Sequence, residues 1–196
     1  MSPRIVKGPK GLLYLAASLV AFFYISVQDS TAQRTATGQY FISGHLSHDF
    51  TSINSFGGGA SVGSYLLNSY WKASIGIDNR ITGLSNGGTM EYMHFYAAAD
   101  WMYRLLCTHN RALSFYAGGG LFLGYEAYDP FRMLPSNIDT GLGGGSFLYG
   151  LRPGVELEYF FVKKFALTIG ATLPMHFGSP TGWFKWTTSI GFRYNF

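Results

Sequence analysis

The chain has 196 residues, of which 12% are charged and 18% aromatic, with 26 glycines, one cysteine and a formal charge of +4. A soluble domain usually carries about 25% charged residues, so this composition speaks against a globule surrounded by water. One cysteine excludes an intrachain disulfide, and so small a charge gives no electrostatic case for direct nucleic-acid binding.

Residues 1–32 read as a secretory signal peptide. Arg4, Lys7 and Lys10 open it, Leu12 to Val27 form a short apolar run, and Ser30-Thr31-Ala32 supply small residues for cleavage before Gln33. Cleavage removes three cations and Asp29, leaving a mature charge of +2. Residues 33–196 then form one domain. Within it no segment holds the roughly 18 uninterrupted apolar residues that a membrane helix needs.

What the domain holds is alternation with a period of two, the signature of strands with one apolar and one polar face. The first predicted strand runs near Gly38 to Leu46, with Tyr40, Ile42 and Leu46 on one side. A polar loop, Ser47 to Gly57, precedes a second strand near Gly58 to Leu67, and Asn68-Ser69 makes a tight hairpin turn. The third strand, Tyr70 to Ile77, turns Trp71, Ala73, Ile75 and Ile77 outward. Asp78 to Thr89 is rich in Asn, Gly and Ser and reads as a loop.

The fourth strand, Met90 to about Leu106, has Met93, Phe95, Ala97, Ala99, Trp101 and Tyr103 on its apolar face. Thr108-His109-Asn110 turns the chain into a fifth strand, Arg111 to Ala127. The longest loop, Tyr128 to Gly145, precedes a sixth strand, Ser146 to Phe161, whose outward set ends in Val155, Leu157, Tyr159 and Phe161. Lys163-Lys164 marks a short turn, Phe165 to Leu173 is the seventh strand, and Met175 to Gly182 is the last loop. The eighth strand, Trp183 to Phe196, has the clearest pattern. Phe184, Trp186, Ile190, Phe192, Tyr194 and Phe196 alternate with Lys185, Thr187, Ser189, Gly191, Arg193 and Asn195.

Eight strands joined by alternating long and short connections predict an all-β fold: an eight-stranded antiparallel transmembrane β-barrel of the outer-membrane type. Lipid leaves no backbone donor a solvent partner, so the sheet must close, first strand to last. A terminal Phe with apolar residues at alternate upstream positions looks like the signal read by outer-membrane assembly machinery.

The predicted inward charges are Lys72, Arg104, Arg152, Lys185 and Arg193 against Asp78, Asp100, Glu126, Glu156 and Glu158. An eight-stranded barrel is just wide enough for side chains to fill it, so a balanced set predicts an ion-paired plug and not a wide channel. Gly118-Gly119-Gly120 lies inside an alternating strand with no helix after it, which excludes a phosphate-cradling loop. No catalytic, cofactor or metal site is predicted. His45, His48 and His176 fall near the long-loop rim, where a metal or an acyl-transfer site could be built. Ser47 and Asp49 flank His48, but neighbours on an extended chain point apart and make no triad.

One further feature lies in the second half. Tyr116-Ala-Gly-Gly-Gly-Leu-Phe-Leu-Gly-Tyr-Glu126, Met133-Leu-Pro-Ser-Asn137, Phe147-Leu-Tyr-Gly150, Val155-Glu-Leu-Glu-Tyr-Phe160 and Gly191-Phe-Arg-Tyr-Asn-Phe196 resemble the conjugal transfer protein TraO family of Bacteroides-type conjugative elements. The resemblance covers roughly residues 90 to 196 and carries over no functional residue. It implies an outer-membrane component of a conjugation apparatus, with outer-membrane lipid, other apparatus proteins and, during biogenesis, the assembly machinery as partners. The alternatives are a stand-alone small barrel, such as an adhesin or envelope-stability protein, and a rim-sited lipid-modifying enzyme using His45, His48 and His176.

Overall fold

The computed structural model describes residues 37–50, 55–83, 89–128, 145–178 and 183–196. The expected signal peptide, its cleavage before Gln33, the centres of the four long connections and the Met133–Asn137 segment lie outside them. The chain forms ten strands: β1 (Tyr40–Asp49), β2 (Phe56–Tyr65), β3 (Ser69–Gly83), β4 (Thr89–Cys107), β5 (Leu113–Tyr128), β6 (Gly145–Leu151), β7 (Gly154–Val162), β8 (Phe165–Thr172), β9 (Met175–Phe177) and β10 (Thr187–Asn195).

All pairings are antiparallel. Neighbours run β4-β3-β2-β1-β10-β8-β7-β5, and β5 pairs back onto β4, so the sheet closes. The ring has eight staves because two of them are interrupted. β6 and β7 are one stave broken at Arg152-Pro153, and both segments pair with β5. β8 and β9 are another, broken at Leu173-Pro174. Proline has no N–H to give a ladder, and both breaks sit at one. The wall survives by detour. Arg152 N donates to Gly120 O (2.8 Å), Leu173 N to Pro153 O (2.9 Å), and Lys185 N to Pro174 O (3.2 Å). Short turns close one end of the barrel, called here the turn end; the long connections lie at the loop end.

The alternation sorts side chains as the sequence predicts. Ile75, Leu123 and Phe147 are 66%, 66% and 78% exposed on the outer face, while Tyr70, Tyr116 and Glu126 are buried inside. A wall this apolar outside and polar inside is inverted relative to a soluble barrel. It also yields a direct test. Ile75 stands mid-strand, opposite Ala60 and Ala97, where a charge would face the middle of a bilayer. Ile75→Arg is expected to lower folding stability in phospholipid vesicles by about 2–4 kcal/mol. In a water-exposed barrel the change would be near neutral, so equilibrium unfolding from vesicles separates the two cases.

Three loop bounds and the contacts of one side chain need correction. β1 runs on to Asp49 and β3 through Asp78 to Gly83, so the ends of two predicted loops are strand. Met175–Phe177 is likewise strand, pairing with β6. Tyr159 keeps the outward parity, opposite Leu113 and Leu167, but is covered there at 6% exposure. Arg104 keeps the inward parity, opposite buried Tyr116, but reaches the turn. It lies beside the Arg104/Leu106 bulge, and its guanidinium bonds Leu67 O (2.7 Å) and Asn68 Oδ1 (3.2 Å) at the turn.

Candidate functional site

The chemistry-bearing side chains gather inside the barrel, in three tiers. At the turn end, Phe41, Tyr65, Tyr70, Met102, Tyr116, Phe160 and Ala166 form a buried cluster. Arg193 of β10 lies against it, its guanidinium carbon 4.1 Å from the Phe41 ring centre and 4.8 Å from that of Tyr70. The same guanidinium donates from Nη1 to Glu158 Oε1 and from Nη2 to Glu156 Oε1, each at 2.6 Å. Lys72 Nζ reaches Glu156 Oε2 at 2.7 Å and Tyr70 OH donates to Glu156 Oε1 at 2.6 Å. Tyr65 OH donates to Glu158 Oε1. One cluster therefore ties β10 to β7, β2 and β3 across the interior.

The middle tier is looser. Arg152 pairs with Asp100 through two hydrogen bonds, His45 Nε2 meets Tyr96 OH at 2.9 Å, and Ser43 and Ser61 share a bond of 2.6 Å. They border a cavity of about 70 Å³ with Lys72 and Ser189 among its other walls. That is room for a few waters.

At the loop end Arg80 sits between Asp49 (3.3 Å) and Asp78 (3.0 Å). Asp78 also accepts from Ser47 Oγ at 2.8 Å and stands 3.3 Å from His94 Nδ1. Lys185 donates to Tyr92 OH at 2.5 Å and pairs with Glu126 at 3.2 Å. Lys72, Arg80, Arg152, Lys185 and Arg193 thus face Asp49, Asp78, Asp100, Glu126, Glu156 and Glu158, and each has an ionic partner. Desolvating such ions costs several kcal/mol apiece unless geometry and further hydrogen bonds offset it. At the turn end Tyr65 and Tyr70 add hydrogen bonds to the paired carboxylates, whereas Arg80 Nε and Nη1 and Arg193 Nε have no hydrogen-bond partner among the described residues. The tiers fill the lumen and bind staves together, leaving no wide aqueous path among the described residues.

The sequence placed Lys72, Asp78, Asp100, Glu126, Arg152, Glu156, Glu158, Lys185 and Arg193 in this lumen, and they are there. It missed Asp49 and Arg80. The rim histidines do not converge. His45 faces the middle cavity through Tyr96, and His48 bonds Ser55 O at 2.6 Å among Phe50 and Phe56. His176 packs on Phe122 and His94. Ser47 and Asp49 are buried, and their contacts go to Asp78, to Ser55 and to Arg80, not to His48.

Comparison with known proteins adds three findings. The profile of a protein family described as Conjugative transposon protein TraO matches residues 37–196. No curated protein matches the sequence. Among solved structures, outer membrane protein OprG from Pseudomonas aeruginosa aligns with a TM-score of 0.56 at 15% identity, over 86% of this chain and 99% of that one. The N-terminal β-barrel domain of Pseudomonas aeruginosa OprF gives 0.54 at 15% identity, over 82% and 98%. Neisserial surface protein A gives 0.52 at 16%, over 81% and 96%. At such identities the likeness concerns the fold alone: a small closed barrel of the outer-membrane type.

Proposed function

Because the chain belongs to the TraO family of conjugative transposon proteins, we propose that it is a non-enzymatic barrel of the bacterial outer membrane serving as a structural or accessory part of a conjugation apparatus. Residues 1–32 direct export and are removed before Gln33; residues 33–196 are the membrane domain. The barrel fixes a place in the outer membrane after delivery by the assembly machinery, and its long connections meet other proteins of the apparatus. It touches lipid and protein, not DNA.

The observation that carries this reading is the filled interior. A lumen cross-tied by Arg193, Arg152, Arg80 and Lys185 leaves positioning, not transport, as the use of the fold. The dispersal of His45, His48 and His176 weighs against a rim enzyme. Binding residues on this scheme belong to the connections, since loops held by a rigid scaffold commonly carry recognition.

The test is a deletion. Replacing residues 129–144 by a short Gly-Ser linker is expected to leave a folded barrel in the outer-membrane fraction. It should lower transfer of the mobile element at least tenfold and remove the proteins that co-purify with the intact chain. Unchanged transfer and unchanged partners, with the barrel present at normal level, would refute the proposal.

A further inference from the structure

His94 on β4 and His176 on β9 meet across the loop end of the lumen, with ring centres 5.6 Å apart and planes inclined at 50°. Both are buried, at 3% and 1% exposure. His94 Nδ1 stands against Asp78 Oδ2 at 3.3 Å, which leaves Nε2 as the free face of that ring. No described residue bonds His94 Nε2, His176 Nδ1 or His176 Nε2. A buried polar group without a partner costs about 1–3 kcal/mol, so three such nitrogens side by side call for a ligand.

Their arrangement indicates which ligand. A carboxylate on one imidazole nitrogen, with the other left free, is how metal-binding histidines are oriented and made more basic. With metal–nitrogen bonds of about 2.0–2.1 Å, two imidazoles on one ion hold their ring centres about 5–6.5 Å apart, and the observed spacing falls inside that range. We propose that His94 and His176 bind a late first-row transition-metal ion, with Asp78 positioning His94. Imidazole is a ligand such ions favour.

Among the described residues no group of three His, Cys, Asp or Glu side chains is spaced to hold a metal. The ion therefore takes two protein ligands. The charges at this end of the lumen are already paired, Asp78 with Arg80 and Glu126 with Lys185. Cu⁺ accepts two ligands; Zn²⁺ would draw its remaining ligands from water in the cavity that His94 borders. Either ion would act as a staple. β9 is three residues long, held by its ladder to β6 and by a bridge from Met175 to Phe184. Coordination would bind it to β4 through the interior.

The chain purified in detergent is titrated with Zn²⁺ and, separately, with Cu⁺ kept reduced by ascorbate, and bound metal is counted per chain. One equivalent of at least one ion is expected. His176→Phe, which keeps an aromatic ring on Phe122, and His94→Gln should each weaken binding at least tenfold, whereas His48→Ala should not. Heat-modifiable gel migration checks that each variant is folded. On the unchanged chain, imidazole ¹⁵N resonances supply a second readout that needs no variant: two histidines should shift on titration. Failure of both ions to bind, wild-type affinity in folded His94 and His176 variants, or unmoved imidazole resonances would overturn the assignment.

Discussion

Replacing Arg193 with methionine is expected to cost about 3–5 kcal/mol of barrel stability, the usual penalty for removing one partner of a buried ion pair. Arg193 holds Glu156 and Glu158 at 2.6 Å each while its planar face lies on Phe41. Without it Glu156 keeps Lys72 as an ionic partner, while Glu158 loses the guanidinium it pairs with. The carboxylate left uncompensated, Glu158, is fully buried. Urea unfolding in detergent micelles or phospholipid vesicles measures the loss. Adding Glu158→Gln to Arg193→Met should recover a substantial part of it, because the penalty is chiefly that of a stranded charge. A loss below about 1 kcal/mol would mean that this cluster behaves like an exposed surface pair and that the turn end is wetter than its burial indicates.

Gly120→Val is expected to be comparably severe for a different reason. A Cβ at Gly120 would lie 1.9 Å from Ala99 O and 2.6 Å from Asp100 Cα. These are backbone atoms of the paired strand β4, which cannot swing aside as a side-chain tip can. Overpacking costs about 1–3 kcal/mol and occasionally more. Here the displaced residue, Asp100, also holds Arg152, so a loss of at least about 3 kcal/mol or failure to close is expected. Gly58→Ala is the comparison, since its Cβ would meet His45 O at 3.3 Å and the flexible Leu46 Cδ2 at 3.6 Å. The yield of heat-modifiable barrel should fall sharply for the first change and little for the second. Equal yields would show that the ring tolerates widening at β4–β5.

Why β10 was easy to read and β3 was not is a matter of what each outer face meets. Along β10, Ile190 and Phe192, and Phe196 just after it, are exposed, while Arg193 and Asn195 are enclosed. Lipid demands apolar residues at every second place, and the sequence obeys. Beyond Ile77 that demand lapses. Asn79 on β3 instead bonds Glu91 on β4 at 2.9 Å, a polar pair on the outer face. Alternation vanishes there although the ladder continues, so Asp78-Asn79-Arg80 has the composition of a loop. Arg80, half of the loop-end ion cluster, was hidden for that reason, and Asp49 with it. Arg104 keeps the inward parity, opposite buried Tyr116; that its guanidinium turns to the Leu67 carbonyl has no mark in the alternation. The His94–His176 contact had no sequence signal. The two residues are far apart along the chain and are brought together by closure alone.

That closure has a kinetic side. The ladder between β1 and β10 joins residues 41–49 to residues 187–195, nearly the two extremes of the folded domain. Contacts of such separation carry the steepest loop entropy and form late. Seven of the eight stave-to-stave pairings around the cylinder join chain neighbours and can zip from local hairpins, but this one must wait for its distant mate. Until it arrives the sheet has two raw margins, each a template for unwanted pairing with another chain. The moment of greatest hazard for this protein is therefore the last one, when everything is in place except the join.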